Sequence, residues 1–288
     1  MQKAVDLYQQ AVDLDPASAV AWAELSNALR AYSAGFEVVP WAKGREPALR
    51  AANRALALDP SLAQAYDAIA WIKFLDWDWA GARAAYGSAR AVDPAFESTL
   101  GTQLAATLGH LSEAVQIQER LATRDPVNHY LYLYLAFLYI RERRLAEAEA
   151  AARKAAELSR TGVGVPLILG QVLVRRGEVQ AGLAELNRDP LESNRDEGLA
   201  WAFQYLGRKP DADVALVRLE DKDASTGAYE ISTIRAMRGE RDLSFAWLER
   251  AYQQHDSSLN DVLTEPDLVN LHQDPRWKPF LRKMNLPE

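Results

Sequence analysis

His110, His129, His255 and His272 are the histidines of this chain, and no two of them stand three or four residues apart. A helix therefore cannot set two imidazoles on one face, and no His-Glu-x-x-His run occurs, so the sequence predicts no metal site. His255-Asp256-Ser257-Ser258 contains the three residue types of a nucleophilic triad. Neighbours in sequence do not converge with triad geometry, and Asp or Ser in such a run more naturally caps a helix start. Gly162-Val163-Gly164 resembles the opening of a dinucleotide loop, but Leu167 stands where the third glycine belongs and no strand pattern precedes it. It reads as a turn, as does Gly207-Arg208-Lys209-Pro210. Asp76-Trp77-Asp78-Trp79 pairs carboxylates two residues apart, yet nothing nearby would split them into acid and base. Asp78 is predicted to cap the next helix, with Trp77 or Trp79 wedged between structural units, and an aromatic ligand contact is the other reading.

These scattered groups sit on a chain of 288 residues with 49% hydrophobic and 25% charged residues, an ordinary folded composition. There is no cysteine, hence no disulfide, thiolate nucleophile or Cys-ligated zinc. The net charge of −7 argues against direct nucleic-acid binding, which needs a concentrated basic face. No apolar run approaches the roughly 20 residues that span a bilayer. The first residues lack the apolar core of an export signal, so a cytoplasmic location is expected, or a periplasmic one if a preceding segment carries an anchor.

The elements that must position any site repeat along the chain. Asp15-Pro16, Asp59-Pro60, Asp93-Pro94 and Asp125-Pro126 put prolines 44, 34 and 32 residues apart. Before each of the first three lies a stretch with small residues at helical spacing: Ala4/Ala11, Ala48/Ala55 and Ala82/Ala89. Leu108-Gly109, Arg176-Gly177, Leu206-Gly207 and Arg238-Gly239 mark turns in front of further such stretches. The pattern predicts two helices per unit, joined where glycine tolerates positive φ and closed by a proline that cannot continue the helix. One pair cannot bury its apolar stripe alone, so pairs must stack.

These residues resemble the tetratricopeptide repeat (TPR) family. Tyr66, Ile69-Ala70, Ala82, Tyr86, Ala89 and Pro94 keep its register in one unit. Tyr132, Leu135-Ala136, Tyr139, Ala148, Ala152 and Ala155 keep it in another, and the match weakens after Gly162. The resemblance implies an all-α, right-handed superhelical solenoid of about seven antiparallel helix pairs. Its expected units are a half repeat (1–16), a repeat with an insertion near 32–45 (17–60), repeats at 61–94, 95–126 and 127–160, degenerate repeats (161–256) and a C-terminal cap (257–288). The insertion contains Gly35, Phe36, Pro40, Trp41 and Gly44. The leading half repeat should expose the face that its missing partner would cover, which suggests a piece of a longer protein or a contact in trans. Asp76–Ala80, Phe245–Tyr252, Asp274–Trp277 and Leu281–Pro287 further resemble the C-terminal TPR arrays of bacterial signalling proteins, which follow winged-helix, adenylate cyclase, kinase or TolB-like domains.

In that family the first helices of successive pairs line a concave groove. Its register on this sequence selects Asn27, Trp71, Phe74, Tyr130, Leu133, Tyr134, Phe137, Arg141, Ile168 and Arg175, an aromatic and aliphatic set. Only Asn27 fits the family's polar scheme for gripping a peptide carboxylate. Such a strip marks an interface, fit for an apolar peptide or amphipathic helix anchored on tyrosine and tryptophan. The competing expectation is that the chain fills its own groove, with the 32–45 insertion or the segment around Trp277 and Phe280. The implied function is a non-catalytic protein–protein interaction scaffold needing no cofactor, without membrane insertion. The rivals are an oligomerisation or spacer module working through residues 1–16, and an enzyme, for which the groove offers only the separated Glu24, Asp67 and Arg141.

Overall fold

Alanines at helical spacing and turn residues between them dictate the architecture. The computed structural model describes residues 2–35, 41–223 and 227–288, and among these the chain is helical with no strand. α1 (Gln2–Leu14) precedes seven helix pairs. They are α2 (Ala19–Arg30) with α3 (Trp41–Leu58), α4 (Ala63–Leu75) with α5 (Trp79–Val92), and α6 (Thr99–Thr107) with α7 (Leu111–Arg124). Then come α8 (His129–Arg141) with α9 (Leu145–Leu158) and α10 (Val165–Arg175) with α11 (Val179–Leu186). The last are α12 (Glu192–Tyr205) with α13 (Lys209–Asp223) and α14 (Ala228–Met237) with α15 (Arg241–Gln254). Two 3₁₀ turns, Ser257–Asp261 and Pro266–Leu271, and the short α16 (Trp277–Lys283) complete the chain. The expected all-α solenoid of helix pairs is thus the fold observed.

The pairs close-pack through the small residues that the sequence singled out. Ala48, Ala55, Ala82, Ala89, Ala148, Ala152 and Ala155 are fully buried. At the α10–α11 crossing, a Cβ on either Gly170 or Gly182 would lie 2.9 Å from the other's carbonyl oxygen, so only glycine permits that approach. The Asp-Pro junctions are turns held by the aspartate: Asp15, Asp59 and Asp93 each accept from the backbone N–H two residues on, at 2.8–3.1 Å. The aromatic ring that opens the next helix reaches back over the turn. Trp22 Nε1 donates to the Pro16 carbonyl and Tyr66 Oη to that of Pro60, both at 3.1 Å.

Contacts gather the chain into two compact units, residues 1–104 with 284–287, and residues 105–283 with Glu288. In the first, a π-helical turn at Ala31–Gly35 prolongs α2, and α3 already begins at Trp41. Of the insertion expected between the helices at 32–45, residues 32–35 and 41–45 therefore belong to helical turns themselves, and Phe36 and Pro40 lie outside the described residues. Trp41 Nε1 and Arg45 Nε donate to the Asp76 carboxylate at 3.0 and 2.6 Å, tying the start of α3 to the α4–α5 turn. Asp78 caps α5, accepting from Gly81 N–H at 2.9 Å. Trp77 and Trp79 are both buried, and Trp79 Nε1 donates to the Met284 carbonyl at 2.6 Å. α1 sets Val5 and Val12 against Leu25 and Ala51, while Leu7 and Leu14 stay 54% and 87% exposed.

In the second unit, α8–α10 share one apolar core with residues of α6 and α7, and α10–α14 build another around Trp201, Leu216 and Ile231. α16 is fastened to α15 by Arg276 on Asp242 at 2.8 Å and by Lys283 on Glu249. Trp277 and Phe280 are buried, the former stacked on His272 at 4.6 Å.

Candidate functional site

Register along four first helices brings one set of side chains to a common face of the second unit. α8 supplies Phe137 and Arg141, α10 Leu167, Ile168, Gln171 and Arg175, α12 Glu197 and Trp201, and α14 Tyr229, Glu230 and Ile234. Together with Asp261, Glu265 and Asp267 from the 3₁₀ segment they enclose a cavity of about 270 Å³. The chain's own residues 257–271 therefore lie against this face, rather than the stretch around Trp277 and Phe280.

Arginines hold that segment. The Arg141 side chain, 4% exposed, donates to Thr264 Oγ1 at 2.7 Å, to the Asp261 carbonyl at 3.2 Å and to Glu265 Oε2 at 3.0 Å. Its guanidinium also covers the Phe137 ring at 3.9 Å. Arg175 stacks on Trp201 at 4.0 Å and approaches Asp267 at 3.5 Å, while Trp201 Nε1 donates to the same carboxylate at 2.8 Å. For Arg141 the cost of burial is offset by these carboxylate and carbonyl partners, which is what makes a charged group tolerable inside a protein. The Asp261 and Glu265 carboxyls are nonetheless raised by burial, which outweighs the pull of Arg141.

α14 presents a contrasting pair. Tyr229 Oη and Glu230 Oε2 are buried without a hydrogen-bond partner. Burial, then the Asp256 carboxylate, pushes Glu230 up to about 7, against the opposing hydrogen bond with the Ser258 hydroxyl.

Of the ten residues selected by register, Phe137, Arg141, Ile168 and Arg175 meet at this cavity. Tyr134 stacks on Phe137 at 5.6 Å, and burial and Asp261 raise its phenol above the ordinary range. Leu133 is half-buried, and Tyr130 is 63% exposed at the start of α8. Asn27, Trp71 and Phe74 belong to the first unit. Asn27 is half-buried; Trp71 and Phe74 are 8% and 1% exposed, with Arg30 over the indole at 4.3 Å. There Asp67 accepts from Ser98 Oγ at 2.6 Å, and burial raises its carboxyl to about 6.

The sequence reading missed Trp201, Tyr229 and Glu230, and the acids at 261, 265 and 267. Extending the register through the degenerate pairs would have found the first three, since Glu197/Trp201 and Glu230/Ile234 keep an i,i+4 spacing. The other candidate motifs resolve as structure. His255 is the left-handed C-cap of α15, and Asp256 accepts from Ser258 N–H at 2.9 Å and Tyr229 N–H at 3.2 Å. Gly162 and Gly164, both at positive φ, form the turn before α10. Among the described residues no group of three or more His, Asp or Glu could hold a metal ion.

No family model matches the chain, and no curated protein matches its sequence. Solved structures do match its fold. A tetratricopeptide repeat protein from Parabacteroides merdae superposes with a TM-score of 0.57 at 16% identity, over 83% of this chain and 98% of that one. PilF of Pseudomonas aeruginosa gives 0.55 at 18% identity, over 77% and 98%. A chain of the Cut9–Hcn1 hetero-tetramer of the APC/C gives 0.58 at 14% identity, over 92% of this chain and 52% of that one. At such identities the likeness defines the fold, and that fold is the TPR type.

Proposed function

We propose that this chain is a non-catalytic protein-interaction scaffold whose first-helix face receives a peptide or helix of a partner protein. The observation that carries the reading is the segment 257–271. The face of α8–α14 holds a length of irregular polypeptide through Arg141, Arg175 and Trp201, a mode of capture open to another chain of similar chemistry. Tyr130 and Leu133 extend that face beyond the segment as an aromatic and aliphatic anchor. Helix-pair proteins of this fold include members of assemblies, such as the Cut9–Hcn1 tetramer, which supports a scaffold reading. The likeness of Asp76–Ala80, Phe245–Tyr252, Asp274–Trp277 and Leu281–Pro287 to signalling arrays supports a finer one, a regulatory arm of a bacterial signalling protein acting in the cytoplasm. Among the described residues no helix is long and apolar enough to cross a membrane.

Affinity capture from source-cell lysate, with wild type beside Tyr130→Ala, tests the reading. Tyr130 is mostly exposed, so its loss should leave the melting temperature unchanged. A protein retained by the wild type and at least tenfold depleted by the variant is the expected result, a loss of about 1.4 kcal/mol. Equal recovery of every protein by the two folded baits would overturn the groove. A second reading, self-association through α1, is favoured by the exposed Leu7, Tyr8 and Leu14.

A further inference from the structure

The cavity of the second unit has a charge balance that its own ion pairs leave unsettled. Glu230, Asp261, Glu265 and Asp267 line it against two guanidiniums, Arg141 and Arg175. Both arginines are engaged, the first with Asp261 and Glu265 and the second with Asp267. An anionic guest would therefore have to break existing pairs, whereas a cationic guest would add to them. Two residues of the lining carry buried side-chain oxygens without partners: Glu230 Oε2, which accepts when the carboxyl is ionised, and Tyr229 Oη, which can accept as well as donate. Tyr229 is only 4% exposed, and a buried polar atom without a partner costs free energy that a suitable donor would recover. Leu167, Ile168 and Ile234 add an apolar wall to the same cavity, with Ile234 one helical turn beyond Glu230.

A compact cation on an apolar stem satisfies all of these features at once. We propose that the cavity binds a primary alkylammonium group, with N–H donors on Glu230 Oε2 and Tyr229 Oη and the stem along Leu167, Ile168 and Ile234. The ammonium carries three donors and no acceptor, matching a site that offers acceptors. Its aliphatic chain lies on apolar surface while the charged end is hydrogen-bonded, the manner in which lysine side chains pack. At about 270 Å³ the cavity has room for a stem of several carbons. The raised pKa of Glu230 accords with a carboxyl awaiting a counter-ion, since a cation at hydrogen-bond distance would favour its ionised form.

The group is found on free amines and on lysine side chains, and the test separates the two. Isothermal titration of the full chain with n-butylammonium, and in parallel with Nα-acetyl-lysine amide, should show saturable one-to-one binding, with n-butanol inert. Binding of both probes assigns a lysine side chain as an acceptable guest; binding of n-butylammonium alone assigns a free amine. Glu230→Gln and, separately, Tyr229→Phe should each weaken binding about tenfold or more while circular dichroism and melting remain those of a folded protein. No saturable heat from either probe on folded wild type overturns the site, and so does undiminished binding by both variants. This result is independent of the partner-capture experiment, which reads Tyr130 rather than α14.

Discussion

Burial and the Asp256 carboxylate hold Glu230 at about 7, where an ordinary glutamate would be 4.5. Glu265 adds to the upward push and the Ser258 hydroxyl opposes it, and Asp261, Tyr229 and Arg141 are among the other ionisable groups of the cavity. The native state therefore keeps a proton between about pH 4.5 and 7 that the unfolded chain has released. Native protons in excess mean that stability falls as pH rises through this window and levels off above it. Glu230→Gln removes this contribution. Urea unfolding should find the variant more stable than wild type near pH 8, by an amount bounded at about 3 kcal/mol, with the difference vanishing near pH 4. A constant difference across that range would show that Glu230 ionises normally. Asp67 in the first unit, raised to about 6 by burial, tilts both proteins the same way and cancels in the comparison.

The helix pairs share one turn. Between first and second helices a single left-handed residue recurs: Gly109, Gly177, Gly207 and Gly239 in four pairs, Trp77 and Arg143 in two others. The four glycines are legible in the sequence because glycine adopts positive φ without strain. Trp77 and Arg143 are not legible, since the repeat imposes the conformation on them from outside. A non-glycine residue at such φ costs roughly 1–2 kcal/mol, partly offset by the entropy that glycine loses on folding. Arg143→Gly should therefore stabilise the chain by about 0.5–1 kcal/mol, and Gly109→Ala should destabilise it by about 1 kcal/mol, both read from thermal or urea melts. The same opposition of local and imposed order explains what else could be read. Alanine spacing and Asp-Pro junctions announce the helix pairs because each is a contact within one turn or one pair. The segment 257–271 carries no helical period, being two 3₁₀ turns, and its partners are arginines more than ninety residues upstream. Nothing local marks it as the occupant of the α8–α14 face.

For the whole molecule the open matter is what meets its exposed apolar surface. On α1, Leu7, Tyr8 and Leu14 are 54%, 36% and 87% exposed. Large apolar side chains left exposed on one helix can mark a contact surface. If copies associate through them, sedimentation should show mass rising with concentration, and Leu7→Glu/Leu14→Glu should return the protein to a monomer without lowering its melting temperature. A monomer at every concentration would exclude self-association and leave α1 to a different partner.

Arg141 finds its acceptors 120 to 124 residues further along the chain. During synthesis from the N-terminus, α8–α15 leave the ribosome with this guanidinium facing an unfilled trough. Its counter-charges are supplied only when Asp261 and Glu265 appear. Nearest-neighbour stacking governs most of a helix-pair array, but here the final turn of chain must fold back and neutralise a charge placed in position long before. The second unit is thereby completed by a late segment: a nascent chain cut short near residue 256 would retain every helix from α8 to α15 and leave Arg141 and Arg175 on their aromatic rings without the carboxylates that pair with them.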